Sequence, residues 1–348
     1  MRVAAVILNW NTEGYLRQFL PGLVASCEAL GPMDDGSPAA RVYVADSASS
    51  DGSLAMLAAE FPEVEVLPLE ANYGFTGGYN RALAGIEADY YVLVNSDIDV
   101  PRDWLAPLVD WMDTHPQCGI CGPKLHALKR IPDGYGRSND FEYAGAAGGY
   151  VDRFGYPFCR GRVLKRVETD FGQYDEPADV LWVSGACLMV RSSLWKRLGG
   201  FDDRFFAHME EIDLCWRANG AGWKVTVVPA STVWHLGGGT LPASSPWKLE
   251  LNYRNNLLLL RRNDGSPLTL FVRMLLDGCS AAVYLLTGRA DCFKAVVRAH
   301  RAFRAFGEVE TVSGPVRWQK MRRLCILPLA AIKGKRIFKY LKRYEDCH

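Results

Sequence analysis

Several things are missing from this sequence, and each absence removes a class of protein. No apolar run reaches the length of a membrane span without charge inside it, because the best candidate, residues 268–287, contains Arg273 and Asp277. Each such charge would cost about 2.5–3.5 kcal/mol near a bilayer centre, so spanning is not expected. The first apolar run, Val3 to Leu8, stops at Asn9-Trp10-Asn11. That is too short for a signal peptide, and a cytoplasmic chain is expected. Net charge is almost absent, with 40 Lys and Arg against 39 Asp and Glu, and no nucleic-acid partner is expected. The ten cysteines form no framework and read as free thiols. Cys118 and Cys121 make the only CxxC, and the stretch Cys118-Gly-Ile-Cys-Gly-Pro reads as a buried strand rather than a zinc site. No repeat and no low-complexity tract appears.

What is present is globular: 348 residues, 49% apolar and 23% charged, enough at roughly 150 residues per domain for about two structural units. The charge is unevenly placed. Residues 1–260 carry 22 Lys and Arg against 32 Asp and Glu, a formal −10, whereas 261–348 carry 18 against 7, a formal +11.

Residues 1–122 alternate β-branched runs with helical periods, the signature of a parallel sheet covered by helices in an α/β fold. Strands are expected at Val3–Leu8, Val42–Ala45, Val64–Leu67, Tyr90–Val94 and Gly119–Ile120. Between the first two, Tyr15, Leu16, Phe19, Leu20, Leu23, Val24 and Cys27 recur at helical spacing and mark core. Residues 123 to about 180, rich in Gly, Tyr and charge, are expected as irregular hairpins over one face of the sheet. A helix is expected from about Met209 to Asn219, then a strand at Trp223–Val228. After residue 260 the chain turns helical and basic.

Ligands of parallel sheets bind outside the carboxyl ends of the strands, and four such ends here are polar. They are Asn9-Trp-Asn11-Thr, Asp46-Ser-Ala-Ser-Ser-Asp51-Gly-Ser, Asn72-Tyr-Gly74-Phe-Thr-Gly77-Gly78-Tyr-Asn80-Arg81, and Asn95-Ser-Asp97-Ile-Asp99. Asp46 could accept a hydrogen bond from a base or ribose, or cap the helix starting near Asp51. The glycines allow close backbone approach, and the helix they begin offers N–H groups to an anion. They lack GxGxxG spacing, which argues against a dehydrogenase. If the strand continues, Asn95, Asp97 and Asp99 share one face, where carboxylates could hold Mg²⁺ or Mn²⁺. Downstream, Glu210, Glu211 and Asp213 gather at a helix start, and Asp213 with Arg217 has the i, i+4 spacing of a structural pair.

Taken in order, Val6-Ile-Leu-Asn-Trp-Asn, Asp46 with Asp51-Gly-Ser, Asn72-x-Gly-Phe-x-x-Gly, Asn95-x-Asp97, Ser184-Gly185, Gly200-Phe-Asp-Asp and Glu210-Glu211-x-Asp213-Leu resemble glycosyltransferase family 2, the inverting nucleotide-sugar transferases, and within it the bacterial rhamnosyltransferase-like branch. The resemblance covers about residues 1–260. It implies a GT-A fold with a nucleotide-binding half at 1–122 and an acceptor-side half at 123–260, followed by a helical basic region at 261–348. It implies donor contacts at Asn9, Asn11, Asp46, Asn72, Gly74, Gly78, Arg81, Asn95, Ser184, Gly185 and Arg254, the last pairing with diphosphate. A divalent cation, Mg²⁺ or Mn²⁺, is implied at Asp97 and His235, with Asp99 a weaker ligand. The acidic pair is placed beside the acceptor, Glu211 as general base and Glu210 its alternative. Two motifs depart from the usual pattern: DxD is Asn95-Ser-Asp97, and Glu-Asp is Glu210-Glu211.

The resulting expectation is transfer of a sugar, rhamnose as best guess, from a UDP- or dTDP-sugar to a hydroxyl of a glycan or lipid-linked acceptor in bacterial surface polysaccharide synthesis. A nucleotidyltransferase would want a Gly-rich basic loop after the first strand, and Asn9-Trp-Asn-Thr-Glu is neither. A noncatalytic nucleotide- or glycan-binding protein on the same fold stays open, as does a homo-oligomer. The run Lys333-Gly-Lys-Arg-Ile-Phe-Lys-Tyr-Leu-Lys-Arg343 mixes basic and apolar residues and could lie on the cytoplasmic face of the inner membrane, or instead pack within the protein or against a second copy.

Overall fold

The computed structural model describes residues 2–237, 245–312 and 321–346. Its first half alternates strand and helix: β1 Val3–Asn9, α1 Glu13–Glu28, β2 Ala40–Asp46, α2 Ser53–Glu60, β3 Glu65–Pro68, α3 Gly74–Ala84, β4 Tyr90–Val94, the short β5 Ile98–Asp99, α4 Leu105–Thr114, β6 Cys118–Ile131 and β7 Gly134–Phe141. Four short strands follow, β8 Gly149–Val151, β9 Pro157–Cys159, β10 Arg162–Val163 and β11 Arg166–Val167. The central sheet then resumes with β12 Ala178–Asp179, β13 Cys187–Arg191, α5 Ser192–Leu198, α6 Glu210–Gly220 and β14 Lys224–His235. The chain closes with α7 Pro246–Asn263, α8 Pro267–Leu286, α9 Ala290–Ala305, α10 Ile326–Lys333 and α11 Ile337–Asp346.

Among the described residues the central sheet has ten strands, with β12-β14-β6-β13-β4-β1-β2-β3 in order, β5 on β14 and β7 on β6. Strands β3, β2, β1 and β4 run parallel. The expected parallel sheet is interrupted in its middle, where β13 inserts antiparallel between β4 and β6, and β5, β7 and β12 also pair antiparallel beyond it. Alternate residues of β1 serve opposite faces, as the period of two requires. Val3, Ala5 and Ile7 pack with Leu16, Leu20 and Leu57 of α1 and α2, while Ala4 and Val6 pack with Tyr79, Leu83 and Trp216 of α3 and α6.

Two expectations need correcting. Gly119–Ile120 is only the start of β6, which runs fourteen residues, because β14 pairs it in parallel and β7 folds back along it. Residues 123–180 are not merely irregular: β8 to β11 form their own antiparallel sheet. Cys118 and Cys121 are buried in β6, and all nine described cysteines are free thiols.

Candidate active site

The floor of the site is built where β1 and β2 end. Their register sets Asn9 beside Asp46, both buried. Asn9 Nδ2 donates to Asp46 Oδ1 at 2.6 Å and to Ser49 Oγ at 3.1 Å, while Asn9 Oδ1 accepts from Thr12 Oγ1 at 2.5 Å. Asp46 Oδ2 accepts the Ser49 N–H at 2.9 Å. Asn11, at φ 56°, accepts the Ser50 N–H at 2.7 Å. The loops after β1 and β2 are thereby tied together. Asp46 does not cap α2; Asp51, just before that helix, accepts from the N–H and hydroxyl of its first residue, Ser53. A carboxylate has about four acceptor positions, so Asp46 retains capacity for a ligand.

The glycine-rich start of α3 departs from expectation. Gly74 N–H donates to Asn72 Oδ1 at 2.9 Å, and the N–H groups of Phe75 and Thr76 donate to the Phe206 carbonyl at 2.7 and 3.2 Å. The helix start is therefore engaged by protein rather than open to an anion. Gly74, at φ +72°, lies so close to Phe206 that a Cβ would stand 2.5 Å from its ring, and a Cβ on Gly78 would stand 2.6 Å from Leu8. Arg81 stacks 3.6 Å above the Tyr73 ring and donates to the Gly77 carbonyl.

After β4, residues 95–97 turn instead of continuing as strand, and Asp97 and Asp99 part company. Asp97 Oδ1 lies 3.2 Å from His235 Nε2, both side chains buried. Asp99 is gripped by Arg137, Nε at 2.7 Å and Nη2 at 3.0 Å, and that guanidinium covers the Trp234 ring. His235 is delivered by β14, which pairs with β5 so that His235 faces Ile98. On the far side of its ring, Glu142 Oε1 lies 3.5 Å from Nδ1. Burial works against the His235 imidazolium, but the charge of Asp97 and its contact, with the nearby charge of Glu142, outweigh it and raise the pKa to about 10. Burial pulls Asp97 upward, yet His235 holds its carboxyl below the ordinary value. Gly238 and Gly239, which follow this histidine, lie outside the described residues.

A carboxylate and an imidazole facing one another at strand ends are donors suited to a divalent cation whose remaining positions go to phosphate oxygens, provided the cation displaces the proton that Asp97 and Glu142 otherwise hold on the ring. Among the described residues no group of three His, Cys, Asp or Glu converges on a metal position. That agrees with Glu142 lying on the opposite side of the imidazole from Asp97. The residues present fit a cation held by two protein ligands, with Glu142 orienting the ring.

The third part is the acidic pair. Glu210 and Glu211 open α6 after a strained approach, in which Phe206, His208 and Met209 all have positive φ, at 64°, 71° and 74°. The segment is clamped from α7: Asn255 Nδ2 lies within hydrogen-bonding distance of the carbonyls of Phe205, Ala207 and His208 at 2.7–2.9 Å, and Arg254 Nη2 donates to Arg204 and Phe205. Arg254, expected on the diphosphate, is thus seated on backbone carbonyls. Asp213 is fully buried and bound by Arg217, Arg262 and Asn263, a structural knot. The acids above it are not satisfied: one oxygen of Glu210 and one of Glu211 have no partner. Burial raises the Glu211 pKa to about 7. Burial, then the charge of Glu211, pushes Glu210 well above the ordinary value. His208 Nε2 is also buried without a partner, and burial lowers its pKa to about 4.

These parts adjoin. Glu142 accepts the Ala144 N–H, the Ala144 carbonyl accepts from Ser184 Oγ at 2.8 Å, and a Cβ on Gly185 would stand 3.2 Å from Glu211 Cβ. Asn95 N–H donates to the Ala186 carbonyl at 2.9 Å, joining the same loop to the end of β4. Sequence reasoning missed Glu142 and His208. Neither carries a local signal, since each acquires its surroundings from distant strands and helices.

Residues 5–161 match the family Glycosyl transferase family 2. Over 241 residues the chain is 28% identical to the N-acetylglucosaminyl-diphospho-decaprenol L-rhamnosyltransferase of Mycobacterium tuberculosis, a match covering 66% of this chain and 74% of that protein. Over 174 residues it is 41% identical to rhamnosyltransferase WbbL of Escherichia coli, covering 45% of this chain and 59% of that protein. Among solved structures, GalNAc-T7 with UDP, GalNAc and Mn²⁺ aligns at TM-score 0.57 and 17% identity, over 75% of this chain and 48% of that one. S. aureus TarS in complex with UDP-GlcNAc aligns at TM-score 0.52 and 14% identity, over 99% and 91%. The fold is GT-A.

Proposed function

We propose, on the premise that residues 5–161 make this chain a family 2 glycosyl transferase, that it moves a sugar, rhamnose by analogy with the named relatives, from a nucleoside diphosphate donor to a hydroxyl of a lipid-linked saccharide, inverting the anomeric centre. The observation that carries this reading is Glu211: a carboxylate with an unpartnered oxygen and a pKa of about 7, packed against Gly185 on the loop that joins β4 to the rest of the site.

In this reading the donor nucleotide lies along the floor at Asn9, Asn11 and Asp46. Asp97 and His235 would hold Mg²⁺ or Mn²⁺, whose positive charge offsets that of the leaving diphosphate. The acceptor oxygen attacks the anomeric carbon, the carbon–oxygen bond to the diphosphate breaks with its electron pair leaving on the nucleotide, and the acceptor proton passes to Glu211. A base near pKa 7 is half-ionised at neutral pH and matched to that task. Glu210, held further from ionisation by burial and by the charge of Glu211, keeps its proton.

Glu211→Gln keeps shape and removes the basic site. Turnover is expected to fall by about 10²–10⁴ with donor affinity nearly unchanged. If Glu210→Gln shows that pattern and Glu211→Gln does not, the base is the neighbour; if neither loses turnover, the reading is wrong. A noncatalytic binding protein would show no donor turnover at all, slow hydrolysis included.

A further inference from the structure

The sequence directs attention to the basic run at 333–343 as a membrane contact, but its apolar side is consumed within the protein. Ile337, Phe338 and Leu341 of α11 are buried, Glu345 accepts from the Tyr150 hydroxyl, and Lys342 donates to the Gln173 carbonyl. The exposed apolar surface lies on α8 instead. That helix is inverted relative to an ordinary surface helix. Its two charges point inward: Asp277 is 0% and Arg273 5% exposed, paired at 2.7 Å, with Arg273 also on the Phe154 carbonyl and His300 on Asp277. Outward stand Leu268, Phe271, Leu275, Val283, Leu285 and Leu286, from 53% to 86% exposed. Leu268, Phe271, Leu275 and Leu286 follow helical spacing along one face, opposite Arg273 and Asp277. No exposed residue of α8 is charged.

We infer that the outward face of α8 lies in the surface of an anionic bilayer, parallel to its plane, and so holds the enzyme where a lipid-linked acceptor resides. Binding itself stands on the geometry of α8; its purpose rests on the function proposed above. The inward pairing of Arg273 and Asp277 fastens the helix to the domain and opposes spanning, although α8 is the one helix among the described residues long and apolar enough to cross a membrane. Charge selects the occupant. The region from 261 onward carries a formal +11, the packed neighbour α9 exposes Lys294, Arg301 and Arg304 against the single exposed acid Asp291, and Arg289 stacks 4.9 Å from the Tyr284 ring at the end of α8. Glu308 and Glu310 are the only exposed acids near the start of α8 among the described residues. Cations beside an apolar helical face suit anionic headgroups above acyl chains. Area argues against a second copy. A stripe about 10 Å wide and 30 Å long offers roughly 300 Å² per partner, well short of the roughly 800 Å² of a stable interface.

The test is cosedimentation of the full chain with vesicles of phosphatidylglycerol and phosphatidylcholine, set against phosphatidylcholine alone. The wild type is expected to bind the anionic vesicles, and the triple variant Phe271→Ser, Leu275→Ser, Leu286→Ser to lose binding by about tenfold or more with unchanged thermal unfolding. The single variant Leu275→Asp gives the same reading with less change to the helix. Neutralising Lys335, Arg336 and Lys339 to Gln should weaken binding less than either. Wild-type protein that ignores anionic vesicles overturns the inference, as do α8 variants that bind like wild type. A dimer in solution that the α8 variants dissociate, without vesicle binding, assigns the stripe to a second copy and also overturns it. Turnover is not read in this assay, so absence of glycosyl transfer with vesicle binding intact would remove the proposed function and leave the surface standing.

Discussion

The floor at the ends of β1 and β2 and the start of α6 face the same site, yet they are built in opposite ways. On the floor the polar groups are tied to one another, Asn9 to Asp46, Thr12 and Ser49, and Asn11 to the backbone at Ser50. At α6, Glu210 and Glu211 each keep a carboxylate oxygen without a partner, at the end of a backbone segment with three positive φ angles. A buried polar group left unsatisfied costs about 1–3 kcal/mol and more when charged, so folding alone does not select it. On the function proposed above, the difference separates a pre-satisfied floor, rigid and suited to contacts with a ligand, from an unsatisfied carboxylate placed to accept a proton. Stability lost at α6 is offset by the clamp of Asn255 and the knot around Asp213.

Between the two regions stands Asp97, and its removal should have an effect of the same order as losing the base at Glu211. Asp97→Ala is expected to reduce turnover by about 10³-fold, because charge developing on the leaving diphosphate loses its counterpart. Asp99→Ala should cost far less, since that carboxylate is occupied by Arg137. Steady-state rates with titrated Mn²⁺ distinguish them. Equal losses at the two positions would return Asp99 to the site, and full activity in excess chelator would remove the metal from the mechanism.

The floor can be broken next. Asp46→Ala deletes the acceptor for Asn9 and for the Ser49 N–H, and donor affinity should weaken about 10–100-fold, the equivalent of about 1–3 kcal/mol. The rate at saturating donor should change little. Calorimetric titration of the donor checks this, and a variant whose saturated rate collapses while affinity holds would show that the floor does chemistry after all.

Much of this arrangement was legible beforehand, for reasons that differ by region. The β-branched runs at Val3–Leu8 and Tyr90–Val94 are buried on both faces and read directly as strands. The polar residues that follow them could be assigned to one edge because parallel strands share a direction. The insertion of β13 between β4 and β6 was not legible, because strand order is settled by tertiary packing. The outer part of β6, Lys124-Leu-His-Ala-Leu-Lys-Arg130, alternates charge and apolar character and reads as surface, although Lys124 is buried against Asp170 and Asp175. Glu142 follows β7, a dozen residues on, and only the hairpin of β6 and β7 brings it to His235.

The clamp offers a smaller break. Asn255→Ala leaves the carbonyls of Ala207 and His208 without their side-chain partner and should destabilise the chain by about 1–3 kcal/mol. Because the released segment carries the acidic pair, turnover should fall about tenfold with donor affinity preserved, a far smaller loss than at Asp97. Urea unfolding and single-turnover rates measure the two effects. If stability falls and the rate does not, α6 holds its own geometry and the clamp is scaffolding only.

The smallest effect is also the most direct test of the contrast, because it asks whether the unsatisfied acid burdens the fold. Glu211 has its carboxyl raised from 4.5 to about 7. Below the unfolded value both states hold the proton and the residue is neutral to stability. As pH rises from about 4.5 toward 7 the unfolded chain releases its proton and the folded chain keeps it, so the folded state loses ground, and above about 7 the loss is constant. Glu211→Gln has no proton to release. The variant should therefore match the wild type in acid, gain on it through that window, and stay ahead on the order of 1–3 kcal/mol above it, while catalysing poorly. Glu210→Gln should shift in the same sense, since burial and the charge of Glu211 drive that carboxyl further upward. Urea midpoints followed from acid to mildly alkaline pH give the curve. Parallel curves for variant and wild type would mean that Glu211 is stabilised like the floor, and the distinction between the two halves of the site would collapse.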